Sequence, residues 1–140
     1  MAKAVPILAA RRALLALGAA VLLGACQTPP PIAFEGPVLT AGVEVNVSSL
    51  LRGPGGQVLA VAGDARNDRP DDLAQLKIVF ELLDPTGIKL GDATAQTAGL
   101  RSGQIWRFDA EARTTYRGQV ARVRVDRIEL EPLAPQQAAR

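Results

Sequence analysis

Between residues 76 and 84 the chain reads Leu-Lys-Ile-Val-Phe-Glu-Leu-Leu-Asp, and this run constrains the fold more than any other. Leu76, Ile78, Phe80 and Leu82 share one parity of a period-two pattern, whereas Lys77 and Glu81 fall on the other. Alternation at that period points to an extended strand with one face in a core. Val79 and Leu83 make the second face only partly polar, as expected for a central strand covered on much of both sides.

Comparable runs recur along the chain: Gly42 to Leu51, Gln57 to Asn67, Leu76 to Asp84, Ile88 to Thr97, Ile105 to Arg113 and Ala121 to Glu131. Turn chemistry separates them. Gly53-Pro54-Gly55-Gly56 supplies positive-φ freedom and one fixed φ, and Asp84-Pro85-Thr86-Gly87 has Pro early and Gly late, as a hairpin turn requires. About six or seven short antiparallel strands spaced in this way predict an all-β sandwich.

Leu59, Val61, Gly63 and Ala65 form a second same-face set, with small residues leaving room for Trp106 or Phe108. Near the end, Ala121, Val123 and Val125 share one parity but Ile128 and Leu130 share the other. A regular strand would turn one of these sets into solvent, so a β-bulge is expected near Asp126-Arg127. The lone cysteine permits no internal disulfide, and stability must come from this core.

The first 25 residues follow different rules. Lys3, Arg11 and Arg12 precede an apolar run from Ala13 to Leu23, then Gly24, Ala25 and Cys26, which is the order of a secretory signal peptide, expected as a helix. The run is about half the ~20 residues that span a bilayer, and Pro29, Pro30 and Pro31 block its helical continuation. Leu23-Gly24-Ala25-Cys26 resembles the bacterial lipobox. The resemblance implies cleavage before Cys26, a diacylglyceryl group on its sulfur and an acyl group on the freed amine.

Two or three acyl chains on one residue anchor a protein stably, whereas one is marginal. Gln27 follows the cysteine, where related lipoproteins held at an inner membrane commonly have Asp; in an envelope with two membranes this favours the periplasmic face of the outer one. The expected organisation is therefore a signal peptide over 1–25, a lipidated Cys26 with a flexible Pro-rich linker over 26–39, a β-sandwich over 40–131 and a disordered tail over 132–140. Removing Lys3, Arg11 and Arg12 leaves 13 basic against 14 acidic side chains, so the formal charge of +2 belongs to the precursor and gives no case for nucleic-acid binding.

Val61-Ala62-Gly63-Asp64-Ala65-Arg66-Asn67, followed by Phe80-Glu81-Leu82-Leu83-Asp84, resembles the FxLYD domain family, with Leu83 where that family prefers Tyr. The similarity continues through Gly87, Leu100-Arg101-Ser102-Gly103 and Phe108. It implies an immunoglobulin-like sandwich found in surface and envelope proteins, with no shared catalytic site.

The chain has no histidine, which removes the commonest general base and metal ligand. Ser48, Ser49 and Ser102 lack a base to activate them. Asp64, Asp68, Asp71, Asp72 and Asp84 match no calcium-loop spacing, and Asp68-Arg69-Pro70-Asp71-Asp72 reads as a solvated turn. Trp106 reads as core rather than as a sugar platform. Arg122, Arg124 and Arg127, with Arg107 and Arg113 nearby, form a candidate anion-binding face, although acids such as Glu129 and Glu131 stand ready to pair with them. The expectation is a noncatalytic envelope module without cofactor that binds a protein partner; the alternative is a module for a small ligand or anionic polymer.

Overall fold

The computed structural model describes residues 31–135, and these residues contain eight strands and no helix. They are β1 (Ala33–Phe34), β2 (Val38–Thr40), β3 (Val43–Arg52), β4 (Val58–Asn67), β5 (Leu73–Leu83), β6 (Lys89–Leu100), β7 (Ile105–Thr114) and β8 (Arg122–Pro132). The expected all-β class holds, while the expected signal-peptide helix lies outside the described residues. β1 and all of β2 but Thr40 fall within the expected 26–39 linker, and β1 runs parallel to β8 in an otherwise antiparallel arrangement.

One hydrogen-bonded sheet connects all eight strands, in the order β1-β8-β5-β6-β7-β4-β3-β2. Its two halves join only where Gly91 to Thr94 of β6 meet Glu111 to Thr114 of β7. Gly91 makes that junction possible, because a Cβ there would strike the backbone of Arg113 and Thr114. The sheet is curled: β1 lies on one edge and β2 on the other, yet Phe34 and Val38 are four residues apart and span about 14 Å at most.

The curl encloses one apolar core. Leu76, Ile78, Phe80 and Leu82 are all fully buried, as their parity predicts, and Val79 and Leu83 are nearly so on the opposite face. The Phe80 ring of β5 stacks on Phe108 of β7 with centroids 5.5 Å apart. Phe108 stands opposite Gly63 in the β4–β7 ladder, where a Cβ would run into its ring tip and the Asn46 carbonyl. Trp106, opposite Ala65, packs against Phe108 but is only half-buried.

Bulges reconcile the apolar pattern with the curl. In β8, Val79 pairs with Arg127 and Phe80 with Val125, so Asp126 is the extra residue and both Val123 and Ile128 turn toward the core. Ser48 plays the same part in β3, bringing Val43, Val45, Val47 and Leu50 onto one side. The third case corrects an expectation: Leu59 is not in the core set but 43% exposed. Leu51 pairs with Ala60 and Arg52 with Val58, leaving Leu59 as the bulged residue and turning it outward.

Hairpins follow the turn chemistry. Gly56 and Gly87 both have positive φ and donate to the carbonyls of Gly53 and Asp84. The Asp84 carboxylate also accepts from the Thr86 hydroxyl and the Thr86 and Ile88 amides, at 2.7, 2.8 and 2.8 Å.

The crossover from β4 to β5 is organised by Asn67, which is fully buried. Its Nδ2 donates to the carbonyls of Asp71 and Leu100, at 3.0 and 3.3 Å, and its Oδ1 accepts from the Arg69 amide at 3.1 Å. Its own amide donates to Gln104 and its carbonyl accepts from Gly103. One side chain and its peptide units thus tie the ends of β4 and β6 to the starts of β5 and β7.

Two substitutions test this account by chemical denaturation. Phe80→Ala removes the central ring and should cost about 3 to 5 kcal/mol. Asn67→Ala strands the Arg69 amide and two carbonyls at about 1 to 3 kcal/mol for each that stays dry, and should cost about 3 kcal/mol or more. Near-native midpoints would reject the respective assignment.

Candidate functional site

The residues expected to carry the lipid anchor, Leu23, Gly24, Ala25 and Cys26, lie outside the described residues. The second expected site, the arginine face, can be placed. Arg122 and Arg124 share the outward parity of β8 and Arg127 follows the bulge, so all three are exposed. Arg122 has no carboxylate within 4 Å among the described residues, but the other two are paired. Arg124 pairs with Glu81, which also meets Lys89 at 3.6 Å. Arg127 contacts Asp126 at 2.7 Å and Glu129 at 2.9 Å, and Glu129 also meets Lys77 at 3.3 Å. From Arg124 to Glu129, alternating charge along the outer face of β5 and β8 neutralises itself within one side-chain length.

Arg107 and Arg113, expected nearby, lie instead on β7, two strands beyond β5 in the sheet. Arg113 faces Glu111 at 3.8 Å. Sequence proximity on a parity pattern therefore overstated the continuity of the patch.

The aspartates are dispersed by the same topology. Asp68 meets Arg66 at 2.6 Å, and Asp71 holds the Arg69 guanidinium through two parallel bonds of 3.0 and 3.1 Å. Asp72 accepts the Ser102 amide at 2.8 Å, and the Ser102 hydroxyl donates to the Arg69 carbonyl. The Asp68 to Asp72 segment is thus a braced crossover, more ordered than a simple solvated turn. Among the described residues, no three carboxylates or thiols gather as a metal site. Ser48 donates to the Ala62 carbonyl.

A cleft that no local sequence pattern marks lies at the opposite end of the strands from Asn67. It has a volume of about 730 Å³ and runs between the β3–β4 hairpin and the segment linking β7 to β8. Arg52, Gln57, Tyr116, Arg117 and Gln119 supply polar groups, with Val58 and Val120 beneath. The linking segment is fixed, because the Thr115 and Tyr116 amides donate to the Leu90 carbonyl at 2.9 and 3.1 Å. Gly118 sits so close to the Leu90 side chain that a Cβ would overlap it.

The ion pairs carry a pH signature. Hydrogen bonds from Arg127 and then Lys77 hold the Glu129 carboxyl below its ordinary range. A folded-state pKa lowered in this way contributes stability above the unfolded value and loses it as pH falls through the folded one. Glu129→Gln should therefore melt slightly below the wild type at neutral pH, and the gap should close in acid. A gap independent of pH would show that the pairing contributes nothing.

No protein-family model, curated protein or solved structure matches the chain.

Proposed function

We propose that this chain is a lipid-anchored, noncatalytic envelope protein whose sheet edge docks a protein partner. The lipobox resemblance at Leu23, Gly24, Ala25 and Cys26 supports a diacylglyceryl and N-acyl anchor, and the FxLYD resemblance supports an immunoglobulin-like module of the envelope. Gln27 favours the periplasmic face of an outer membrane where the cell has one.

The observation that carries the docking role is the asymmetry of the two edges. Both edges carry a bulge, Asp126 in β8 and Ser48 in β3. β8 beyond Val123 has no outer ladder partner, but it is guarded by alternating charges from Arg124 to Glu131 and by Pro132. Such features oppose pairing with a further strand. β3 is covered by β2 only from Val43 to Val45. From Asn46 to Leu51 its open edge reads Asn-Val-Ser-Ser-Leu-Leu, with no charge and with Leu51 59% exposed. An extended segment of a partner can add to such an edge through main-chain hydrogen bonds.

The test uses the full chain in its native envelope. Mass spectrometry should find a chain beginning at Cys26 with an acylated amine and a thioether-linked diacylglyceryl group. A photocrosslinker at Leu51 should give discrete protein adducts, while one at Glu131 should not. The adducts should disappear in Cys26→Ser and in Ser49→Lys/Leu51→Lys, the latter with an unchanged melting temperature. An unmodified sulfur would overturn the anchor, and equal adducts from both edges would overturn the docking edge.

A further inference from the structure

Cationic side chains among the described residues mostly have a carboxylate within 4 Å: Arg66, Arg69, Lys77, Lys89, Arg113, Arg124 and Arg127 all do. Arg52, Arg101, Arg107, Arg117 and Arg122 have none among those residues, and of these Arg52 and Arg117 meet at one place, the lining of the cleft at the end away from Asn67. The lining contains no Asp or Glu at all. Two unpaired guanidiniums on an acid-free lining make the cleft locally positive.

The remaining groups are those that recognise a polyhydroxylated ring. Gln57, Gln119, Thr114 and Thr115 offer amides and hydroxyls that both donate and accept. Tyr116 is 67% exposed and presents an aromatic face on which the C–H side of a sugar can lie. The volume falls within the range of small-ligand sites. Both walls are set before any ligand arrives: the Arg52 guanidinium donates to the Gly56 carbonyl at 3.0 Å, Gly53 donates to Gln57, and the opposite wall is pinned to Leu90.

We infer that this cleft binds a saccharide carrying a carboxylate or phosphate. Arg117 and Arg52 take the anion through charge-assisted hydrogen bonds, and Tyr116 takes the ring. This goes beyond the anchor-and-edge reading and stands independently of it, since neither Cys26 nor the Asn46 to Leu51 stretch of β3 lines the cleft.

The test is nitrogen-15 NMR of the full chain in detergent micelles, titrated separately with glucose 6-phosphate, glucuronic acid, glucose and inorganic phosphate. The amides of residues 52–58 and 114–120 should shift with one of the two anionic sugars, and about tenfold more weakly with glucose or with phosphate alone. The responding sugar identifies whether phosphate or carboxylate is preferred. Arg117→Gln should weaken that binding by about tenfold, consistent with loss of a charge-assisted bond. Tyr116→Ala should weaken the sugar but leave the residual phosphate response unchanged. Both side chains are exposed, and an unchanged melting temperature confirms that each variant folds. Phosphate binding as well as glucose 6-phosphate would overturn the saccharide assignment. No shift with either sugar at millimolar concentration, or shifts confined to other residues, would overturn the site.

Discussion

Asn67 is where a flat ladder becomes a folded domain. A sheet whose halves meet at only a few residue pairs is held closed by what bridges them elsewhere, and at the crossover end that bridge is the hydrogen-bond set of one buried amide. Buried polar groups are costly unless satisfied, and this one is saturated on both its oxygen and its nitrogen. Around it the brace extends outward: Arg69 grips Asp71, donates to the Ala41 carbonyl at 3.1 Å, and lays its stem over Gly42. The short chain from Asn67 to Leu73 can then pass from one half of the sheet to the other without leaving peptide groups dry.

The core on which that closure rests depends on size complementarity across the curl. Phe80 and Phe108 stack only because Gly63 lies opposite Phe108, and Ala93 lies opposite Phe80 in the β5–β6 ladder. Much of this was legible in the chain, because strand parity and small–large pairing are local patterns. The Asp126 bulge was legible for the same reason: Val125 and Ile128 cannot share a face without an extra residue between them. The switch from Val47 to Leu50 in β3 carries the same signal, and the structure places a bulge there at Ser48. Leu59 misled because its bulge arises from a register shift against Leu51 and Arg52, and nothing in the apolar pattern of β4 marks it. β1 and β2 were read as spacer because strands of two or three residues are too short to show a period.

Function-bearing features divide along the same line. The lipobox is contiguous, so four neighbouring letters suffice to raise the expectation of an anchor. The arginine face looked continuous because parity aligns Arg122 and Arg124, but the acids that neutralise Arg124 and Arg127 come from β5 and the same strand, and partner identity depends on register. The cleft was invisible for the opposite reason. Arg52 and Arg117 are 65 positions apart in sequence, and only the β4–β7 ladder and the anchoring of Thr115 and Tyr116 on Leu90 bring their segments together.

Topology also gives the proposed anchor an orientation. Ala33 pairs with Arg122, Arg122 lies beside Leu83, Leu82 beside Gly91, and Gly91 beside Thr114, so the chain enters the fold at the cleft end of the strands. Cys26 and Ala33 are seven positions apart, which even a fully extended chain spans in about 25 Å. The proposed lipid on Cys26 would therefore hold that end of the sheet nearer the bilayer than the Asn67 end. On the proposed anchoring, the acid-free cleft with Arg52 and Arg117 would lie on the side nearer the anionic groups of a membrane surface. The uncharged β3 edge runs from the Asn67 end toward the cleft, so a strand added along it would approach the same surface without blocking the crossover that keeps the domain closed.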